Sequence, residues 1–599
     1  VTTHGFRDVI EIGRQNRSEV YNLFVKRPRP LVARENRIGI AERIDYNGDV
    51  VLALSDGEIA RAIAEVRSRD PQAIAIGFLH AYANDSHERR IAEALRKELP
   101  GVPLCTSTEV DPEYREYERF STAVVNAALL PILQRYIASL ERGLRERNID
   151  APLYVMQSNG GMASAEFAAS RPFTIIESGP ASGVIAAAEV ARASGIERVL
   201  SFDMGGTTAK AGTVVDGTVQ IVTEFEAAGS THSGRSIKGS GYPVRFPFVD
   251  LAEVSAGGGT IAWVDDGGAL RVGPISAGAD PGPACYGRSD RATVTDANVV
   301  LGRLSPIALL DGSFPIDAAR SHDAVAKLAT QLQLSVPETA AGIVSLVDSE
   351  MAKVLRIVTV ERGLDSRDFT LVAYGGNGAL HGCALAAELG VRRIVVPARP
   401  GVFSAEGLLD ADLRIAFVEP LLKTADAIND REIDAAFERL QERARAALVT
   451  QGASADRIGY RREFDARYAG QSFEIDIQAM ENIDRSVRGF HEKHRLRYGY
   501  AVYEEPVELV TIRLAATAPL ASRPTQKLSS RDGKPSTRAL WNGREFDDVP
   551  VYRRDSLASR TQISGPAIIE QYDATIVLTT LWRATIDGAQ LILTLGEAA

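Results

Sequence analysis

Cysteine is scarce in this chain. Only three cysteines, Cys105, Cys285 and Cys383, stand among 599 residues, and no pair of them has Cys-x-x-Cys spacing. This usage argues against a disulfide framework and against a structural zinc site, and it is typical of a reducing compartment. We therefore expect a cytoplasmic protein.

Long apolar runs and blocks of like charge are also missing. No run of the sequence is long and apolar enough to span a bilayer. The 68 basic residues are interspersed with 78 acidic ones, which gives a formal net charge of -10. A chain of this charge offers no broad basic surface to nucleic acid or to an anionic membrane, so we expect neither as a partner. Hydrophobic residues make up 45% of the chain, enough for the cores of several domains.

The most informative stretch runs from Val199 to Lys210. An apolar strand leads into Asp203, a glycine pair and two threonines, and a second strand follows. Glycines let backbone N–H groups approach a phosphate closely, and threonine hydroxyls can donate to the same oxygens. Asp203 is a candidate ligand of Mg²⁺, which prefers oxygen ligands. An ordinary hairpin, with glycines that serve only the turn, is the alternative. The predicted phosphate ligands are Gly205, Gly206, Thr207 and Thr208.

Two further glycine segments follow predicted strands. Three successive glycines come after the strand at 248–254, and close approach to a ligand explains them better than packing alone. A second set joins the strand at 369–374 to a helix, and this strand–glycine loop–helix unit is typical of nucleotide binding. It is not a Walker loop, because no Gly-Lys-Ser/Thr follows. The predicted nucleotide-binding glycines are Gly257, Gly258, Gly259, Gly375, Gly376 and Gly378.

Four titratable residues lie beside these segments. Asp250 and Glu253 precede the triple glycine and are candidates for acid–base or metal chemistry. His381, in the first turn of the helix after Gly378, is a candidate for acid–base catalysis, with a structural hydrogen bond as the alternative. Glu177 ends a predicted strand that starts at Thr174. It could hold a Mg²⁺-bound water or be a plain surface carboxylate.

The order of the predicted elements indicates the fold class. Strands and helices alternate through most of the chain, which is typical of α/β layers, whereas charged helices and short strands follow residue 419. We predict three parts, 1–195, 196–415 and 416–599. The glycine- and serine-rich segment 231–248 is predicted to be a long loop. The His-x-x-His pair at 491 and 494 is predicted to lie on a solvated helix face and not in a metal site.

Together these segments resemble the A-type subunit of the hydantoinase/oxoprolinase family, a relative of the sugar-kinase, Hsp70 and actin superfamily. The resemblance implies an actin/Hsp70/sugar-kinase-like (ribonuclease H-like) nucleotide-binding core with an additional C-terminal α+β domain. Family members usually begin with a further Asp-x-Gly-Gly-Thr loop. This chain starts at Val1 without one, so we expect it to lack that N-terminal segment. Many members also carry Thr-Asp where this chain has Ala209-Lys210, so no role of that acid can be transferred to Lys210. The segments that carry the resemblance are 177–183, 203–208, 256–263, 272–287, 293–298 and 376–381.

The resemblance also implies a reaction. ATP would phosphorylate the oxygen of a cyclic amide of hydantoin, 5-oxoproline or lactam type, and water would open the activated ring, with Mg²⁺ and backbone N–H groups neutralising charge. The implied partner is a B-type subunit in a hetero-oligomer. Some relatives are instead subunits of ATP-dependent acetone or acetophenone carboxylases, and the loop at 238–243 and the segment 250–253 also resemble that branch. A nucleotide-gated binding protein of actin or chaperone type is the non-enzymatic alternative, which amide-dependent ATP turnover would exclude.

Overall fold

A computed structural model describes residues 1–232, 235–520 and 534–596 of the chain. The N-terminal part has short strands and seven helices, and its first core lies where α2 and α3 pack on the parallel pair β5–β6. Its strands are β1 Thr2–Thr3, β2 Gly39–Ile40, β3 Arg43–Ile44, β4 Val50–Leu52, β5 Ile74–Ile76, β6 Leu104–Thr106, β7 Tyr154–Met156 and β8 Met162–Ser164. Its helices are α1 Val9–Ile12, α2 Asp56–Ser68, α3 Ser86–Glu98, α4 Ser107–Val110, α5 Glu116–Arg145, α6 Ala165–Ser170 and α7 Ser178–Ser194.

The longest helix, α5, continues through Pro131 as one element. Contrary to the expectation that no run of the sequence could span a bilayer, its length and composition alone would allow it to cross one. Its buried face, however, carries charged groups with protein partners: the Arg119 guanidinium donates to the Phe78 carbonyl at 2.7 Å, and Glu118 pairs with Arg14 at 2.6 Å. Buried charges are stable only when they are paired, and these pairs are those of a helix that packs inside a protein.

The middle of the chain forms most of a nine-stranded sheet, in the order β11-β10-β9-β21-β22-β33-β32-β29, with β16 beside β10. The strands in this middle part of the chain are β9 Arg198–Met204, β10 Ala209–Val215, β11 Thr218–Val219, β12 Ile221–Ala227, β13 Thr231–His232, β14 Arg235–Ser236, β15 Tyr242–Val249, β16 Leu251–Val254, β17 Thr260–Val264, β18 Leu270–Ser276, β19 Ala308–Leu309, β20 Phe314–Pro315, β21 Thr370–Tyr374 and β22 Arg393–Val396. Its helices are α8 Val294–Val300, α9 Ala318–Leu332, α10 Val336–Val358, α11 Gly375–Leu389 and α12 Phe403–Asp410.

Alternation along β9 assigns its side chains to the two faces of this sheet. Phe202 and Met204 belong to the core that α10 and α11 cover. Val199 belongs to the opposite core, which α7 covers together with Phe403 of α12. Asp203, two positions after Ser201 on the same strand, therefore lies on the α7 side at the end of β9.

The C-terminal part contributes all of a four-stranded sheet, four strands of a six-stranded sheet and three strands of the central one. A six-stranded sheet has the order β25-β24-β26-β23-β8-β7, and a four-stranded sheet has the order β27-β28-β30-β31. The strands are β23 Leu413–Thr424, β24 Gly459–Tyr468, β25 Ile475–Gln478, β26 Val507–Ala518, β27 Ser536–Trp541, β28 Phe546–Arg553, β29 Gln562–Ser564, β30 Ala567–Gln571, β31 Ala574–Leu578, β32 Trp582–Asp587 and β33 Gln590–Leu595. The helices are α13 Asp430–Thr450 and α14 Ile483–Tyr498.

The sheets cross the domain boundaries that the sequence predicts. β8, from the predicted first domain, pairs with β23 of the C-terminal sheet, and β33, near the chain's end, pairs with β22 of the central sheet. Local composition marks where segments change character. Local composition gives no signal for a strand that returns to pair in an earlier sheet. Each of the three predicted parts therefore shares a sheet with another part.

Three local predictions are wrong. The predicted strand at 174–177 is a 3₁₀ turn, Pro172–Ile175, in which the Thr174 N–H donates back to the Arg171 carbonyl. The predicted loop at 231–248 contains β15, which pairs with β12; residues 233–234 of that prediction lie outside the described residues. His491 and His494 are buried against Tyr468 and not solvated.

Candidate nucleotide site

The turn between β9 and β10 offers unpaired donors to an anion. The Gly205 N–H donates to the Thr208 carbonyl at 3.1 Å and closes the turn. The next three N–H groups, of Gly206, Thr207 and Thr208, have no hydrogen-bond partner within the described part of the chain, and Gly206 and Thr207 are exposed. Successive free N–H groups at an open turn form an anion-binding concavity.

The triple glycine lies behind this turn and supports it. The Gly258 N–H donates to the Gly205 carbonyl at 3.1 Å, and the Gly259 N–H donates to the Gly206 carbonyl at 2.7 Å. A Cβ atom on Gly257 would lie 2.6 Å from the Thr207 nitrogen. All three glycines are buried. The sequence predicts that they approach a ligand, but the close approach that requires them is to the backbone of the turn.

The N-terminus of α11 meets the same turn. Gly375 has φ +75° and no room for a side chain, because a Cβ atom there would overlap Asp203 Oδ1. The Asn377 amide donates to the Gly205 carbonyl at 3.1 Å. Gly376, between them, is exposed, whereas Gly378 is buried over the end of β9. A helix N-terminus is a favourable place for an anionic group, and here it opens beside the turn.

Three side chains stand in register across β9, β10 and β16. Lys210 lies opposite both Asp203 and Glu253. The Lys210 ammonium is 2.9 Å from Glu177 Oε2 and 3.3 Å from Glu253 Oε2. Asp203 accepts a hydrogen bond from the Ser404 hydroxyl at 3.1 Å. The result is one polar cluster on the α7 side of the sheet, directly below the turn.

Burial and charge set the ionisation in this cluster. Burial raises the pKa of Asp203, while the Ser404 hydrogen bond and the Lys210 charge act in the opposite direction. Burial lowers the pKa of Lys210, but its hydrogen bond to Glu177 and the charges of Glu177 and Glu253 outweigh that effect and raise it. Lys210 is therefore a fixed positive charge at neutral pH.

The cluster has few protein ligands for a metal. Over the described ranges, no group of three His, Cys, Asp or Glu side chains is arranged to hold a metal ion. Glu177, predicted to be a metal ligand, is instead the partner of the Lys210 ammonium. Asp203 keeps its predicted place at the turn. Because Mg²⁺ in nucleotide sites takes most of its ligands from water and phosphate, one carboxylate here fits such an ion.

Two predicted catalytic residues lie away from the turn. His381 is fully buried, with Nδ1 2.5 Å from Asp348 Oδ1, so its ring cannot reach a substrate. Asp250 pairs with Arg362 at 2.7 Å. Its neighbour Leu251 lies opposite Gly212, at the end of β16 remote from the turn. Of the three predicted catalytic residues, Glu253 alone joins the cluster.

Sequence reasoning missed Ser404, Asn377 and the turn between β30 and β31. Asp573 in that turn accepts a hydrogen bond from the Gly401 N–H at 2.8 Å, and its carbonyl lies 4.0 Å from a Cβ position on Gly376. The exposed Tyr572 is beside it. Ser404 and Asp573 lie far along the chain from the β9–β10 turn, so no local pattern could indicate them, whereas Asn377 stands between the predicted glycines Gly376 and Gly378. Alternation along β10, in contrast, could have placed Lys210 beside Asp203.

The chain matches a known class of proteins in three consecutive regions. The family description "Hydantoinase/oxoprolinase" matches residues 119–417, its N-terminal region matches residues 1–99, and its C-terminal domain matches residues 423–596. The chain is a member of the hydantoinase/oxoprolinase family. The match over residues 1–99 does not support the expectation that the chain lacks the family's N-terminal segment.

Several relatives are similar along almost the whole chain. An uncharacterised protein of Methanocaldococcus jannaschii is 43% identical over 98% of this chain and 86% of its own length. The caprolactamase subunit alpha of Pseudomonas jessenii is 34% identical over 98% and 85%. The acetophenone carboxylase gamma subunit of Aromatoleum aromaticum is 31% identical over 98% and 84%. The 5-oxoprolinase of Dictyostelium discoideum is 26% identical, and this chain spans only 49% of its length.

Two solved structures share the fold. The ATP-dependent caprolactamase from Pseudomonas jessenii superposes with a TM-score of 0.87 at 32% identity, over 100% of this chain and 88% of that one. A nucleotide-free acetone carboxylase superposes with a TM-score of 0.76 at 24% identity, over 99% and 87%, and shows similarity of fold alone. Both comparisons agree with an α/β protein that has N-terminal and C-terminal domains.

Proposed function

We propose that this chain is an ATP-dependent hydrolase subunit that activates a cyclic amide of hydantoin, 5-oxoproline or lactam type for ring opening. One observation carries the proposal: three free N–H groups, Asp203 and the N-terminus of α11 converge at one turn. The same chain is 34% identical to a caprolactamase subunit. Bound ATP would supply the phosphoryl group that turns a poorly reactive amide oxygen into a leaving group.

The topology supports an actin/Hsp70/sugar-kinase-like core. The antiparallel strands β11, β10 and β9 are followed in the sheet by β21 and β22, which run parallel to β9. Helices cover both faces. A ligand site at the end of β9, between the two strands that flank it, is where such open sheets bind nucleotides.

The residues at the turn would divide the work of binding. The N–H groups of Gly206, Thr207 and Thr208 would hold phosphate oxygens, with the two threonine hydroxyls as further donors, and Asp203 would hold Mg²⁺. Gly375 and Gly376, with Gly378 below them, would form the adenosine side. Tyr572, exposed beside Asp573, would border that side from the C-terminal domain.

Lys210 and Glu253, below the turn, would interact with the reacting groups. Lys210 places a positive charge beside Asp203, where negative charge develops during phosphoryl transfer. Glu253 is the carboxylate of this cluster that we assign to proton transfer. Glu177, held at φ +64° at the start of α7, would keep the ammonium in place.

We further propose a cytoplasmic hetero-oligomer with a B-type subunit that completes ring opening. The three cysteines are free and buried, which suits a reducing compartment. Names such as subunit alpha and subunit gamma among the relatives support a multi-subunit enzyme. A ketone carboxylase subunit is the second candidate, because the acetophenone carboxylase relative is 31% identical over nearly the whole chain.

Phosphate release by the full chain, co-expressed with its B-type subunit, tests the choice. The assay contains ATP and Mg²⁺, and its panel is hydantoin, 5-oxoproline and caprolactam, against acetone and acetophenone with bicarbonate. Release stimulated by an amide, with ring opening, supports the hydrolase. Release stimulated only by a ketone with bicarbonate would assign the chain to the carboxylase branch.

A further inference from the structure

A loop near the N-terminus exposes an apolar surface that nothing in the nucleotide site uses. Four large apolar residues are at least 70% exposed within five positions: Val20 at 70%, Tyr21 at 99%, Leu23 at 82% and Phe24 at 88%. Isolated exposed apolar residues are ordinary, but a contiguous group is typical of an interaction surface. We call residues 14–27 the N-terminal apolar loop.

Both ends of this loop are fastened to the protein. At one end Arg14 pairs with Glu118 of α5 at 2.6 Å, and Tyr117 packs beside Gly13. At the other end Arg27 donates to the Ile12 carbonyl at 3.2 Å. The apolar side chains lie between these anchors, so they are presented from a loop with a fixed base.

A second exposed aromatic side chain belongs to a segment that contacts the residue just before α5. Arg115, immediately before α5, is 2.8 Å from Glu474 and also donates to the Ser472 carbonyl. Phe473, between those two residues, is 70% exposed. The base of the loop and the segment that carries Phe473 thus both contact residues at the start of α5, from two distant parts of the chain.

The charged residues around the loop indicate what kind of partner surface would bind it. Arg17, Lys26, Arg27 and Arg29 flank the apolar residues, with Glu19 as the acidic residue among them, although the whole chain carries a net charge of -10. A second copy docking through the same loop would bring these cations together, because a two-fold interface is self-complementary. A partner with an acidic rim around an apolar pocket fits better.

We infer that the N-terminal apolar loop, together with Phe473, is the docking face for the B-type subunit. This inference rests on the hetero-oligomer in the proposed function and adds the surface through which it forms. The relatives agree with a partner of different sequence: two are named as subunits, and the chain spans only 49% of a 5-oxoprolinase. Tyr21 and Phe24 are the expected anchors, since aromatic side chains dominate interface energies, and Leu23 extends the apolar area between them.

The test measures binding of the full chain to the B-type subunit of the same organism by biolayer interferometry, with light scattering to report stoichiometry. The double variant Leu23→Ser/Phe24→Ser should raise Kd about a hundredfold. Tyr21→Ser should raise it about tenfold, and Lys26→Glu should slow association and reduce its dependence on salt. The control Ile307→Ser changes another exposed apolar residue, at 76% accessibility, and should bind like wild type.

The outcomes separate this inference from the proposed activity. Asp203→Asn should bind the B-type subunit normally, and the loop variants should keep wild-type ATP affinity and melting temperature. Wild-type binding by the Leu23→Ser/Phe24→Ser variant would overturn the docking face while leaving the ATP site intact. Self-association of the chain alone that the same variant abolishes would also overturn it, because the loop would then be covered by a second copy.

Discussion

Asp203 is the residue on which the nucleotide site depends most. It ends β9 beside the free N–H groups, and Gly375 leaves room for its carboxylate. We predict that Asp203→Asn lowers amide-stimulated ATP turnover at least about a hundredfold, a loss typical of removing one charge-stabilising group. The measurement is phosphate release at saturating substrates. Asp250→Asn is the matched control, because that carboxylate pairs with Arg362 away from the turn, and it should retain most activity.

Lys210 supplies the positive charge of the polar cluster below the turn. Lys210→Met would leave Glu177 and Glu253 facing Asp203 without a cation between them. We predict a fall in kcat of about tenfold or more, with partial recovery in Lys210→Arg. Because the pKa of Lys210 is raised above its ordinary value near 10.5, the ammonium stays charged throughout the range from pH 7 to 9. An activity loss between pH 7 and 9 that vanishes in Lys210→Arg would contradict this assignment.

At the scale of elements, the start of α11 gives a matched pair of glycines. A Cβ atom on Gly375 would overlap Asp203 Oδ1, and its φ of +75° is strained for other residues, whereas the nearest atom to one on Gly376 is 4.0 Å away. We predict that Gly375→Ala raises the Kd for ATP about tenfold or more, because the carboxylate must move. Gly376→Ala should bind nearly as well as wild type, as titration calorimetry can show. Equal effects of the two substitutions would contradict the geometry.

The same elements show how far sequence reasoning extends. The hairpin of β9 and β10 is predictable, because an apolar run, a glycine turn and a second strand are all local signals. The 174–177 segment is not, because β-branched residues there suggest a strand while Pro172 and a local hydrogen bond make a 3₁₀ turn. The charged residues around His491 and His494 suggest a solvated helix face, yet both rings pack on Tyr468 of β24. Partners remote in sequence decide such cases.

The candidate site likewise contains some residues that local sequence predicts and others that it does not. Asp203 and the glycines of its turn are local features and could be named in advance. The roles of Ser404, Asn377 and Asp573 depend on how distant loops meet, so no spacing rule reveals them. His381 lies well inside α11, which starts at Gly375, and its ring is buried against Asp348 of α10, a partner that no local pattern indicates.

At the scale of the whole molecule, a buried charge cluster joins the parts of the chain. Asp111, before α5, lies 3.7 Å from Arg245 of β15, and Arg513 of β26 pairs with Glu113 at 2.9 Å. Burial raises the pKa of Asp111 to about 7, with Arg245 opposing and Glu113 adding to the shift. One carboxylate oxygen of Asp111 is buried without a hydrogen bond within the described part of the chain.

This shift has a definite sign for stability. A carboxyl group whose pKa is raised by folding binds more protons in the folded state than in the unfolded state. Its contribution to the free energy of unfolding is therefore fully present below its ordinary pKa near 4 and is lost as pH rises to about 7. We predict that the melting temperature of Asp111→Asn, relative to wild type, rises by about 2–4 °C between pH 5 and pH 8. Scanning fluorimetry across this range checks it. A constant difference at every pH would contradict the assignment.

The most direct test of the central claim follows the amide oxygen. The complex with the B-type subunit would turn over 5-oxoproline or caprolactam labelled with ¹⁸O at the carbonyl, with ATP and Mg²⁺, and mass spectrometry would locate the label. Activation by phosphorylation at the Asp203 turn predicts that the label appears in inorganic phosphate, and that Asp203→Asn abolishes its transfer. Ring opening with all of the label retained in the carboxylic acid would contradict the account.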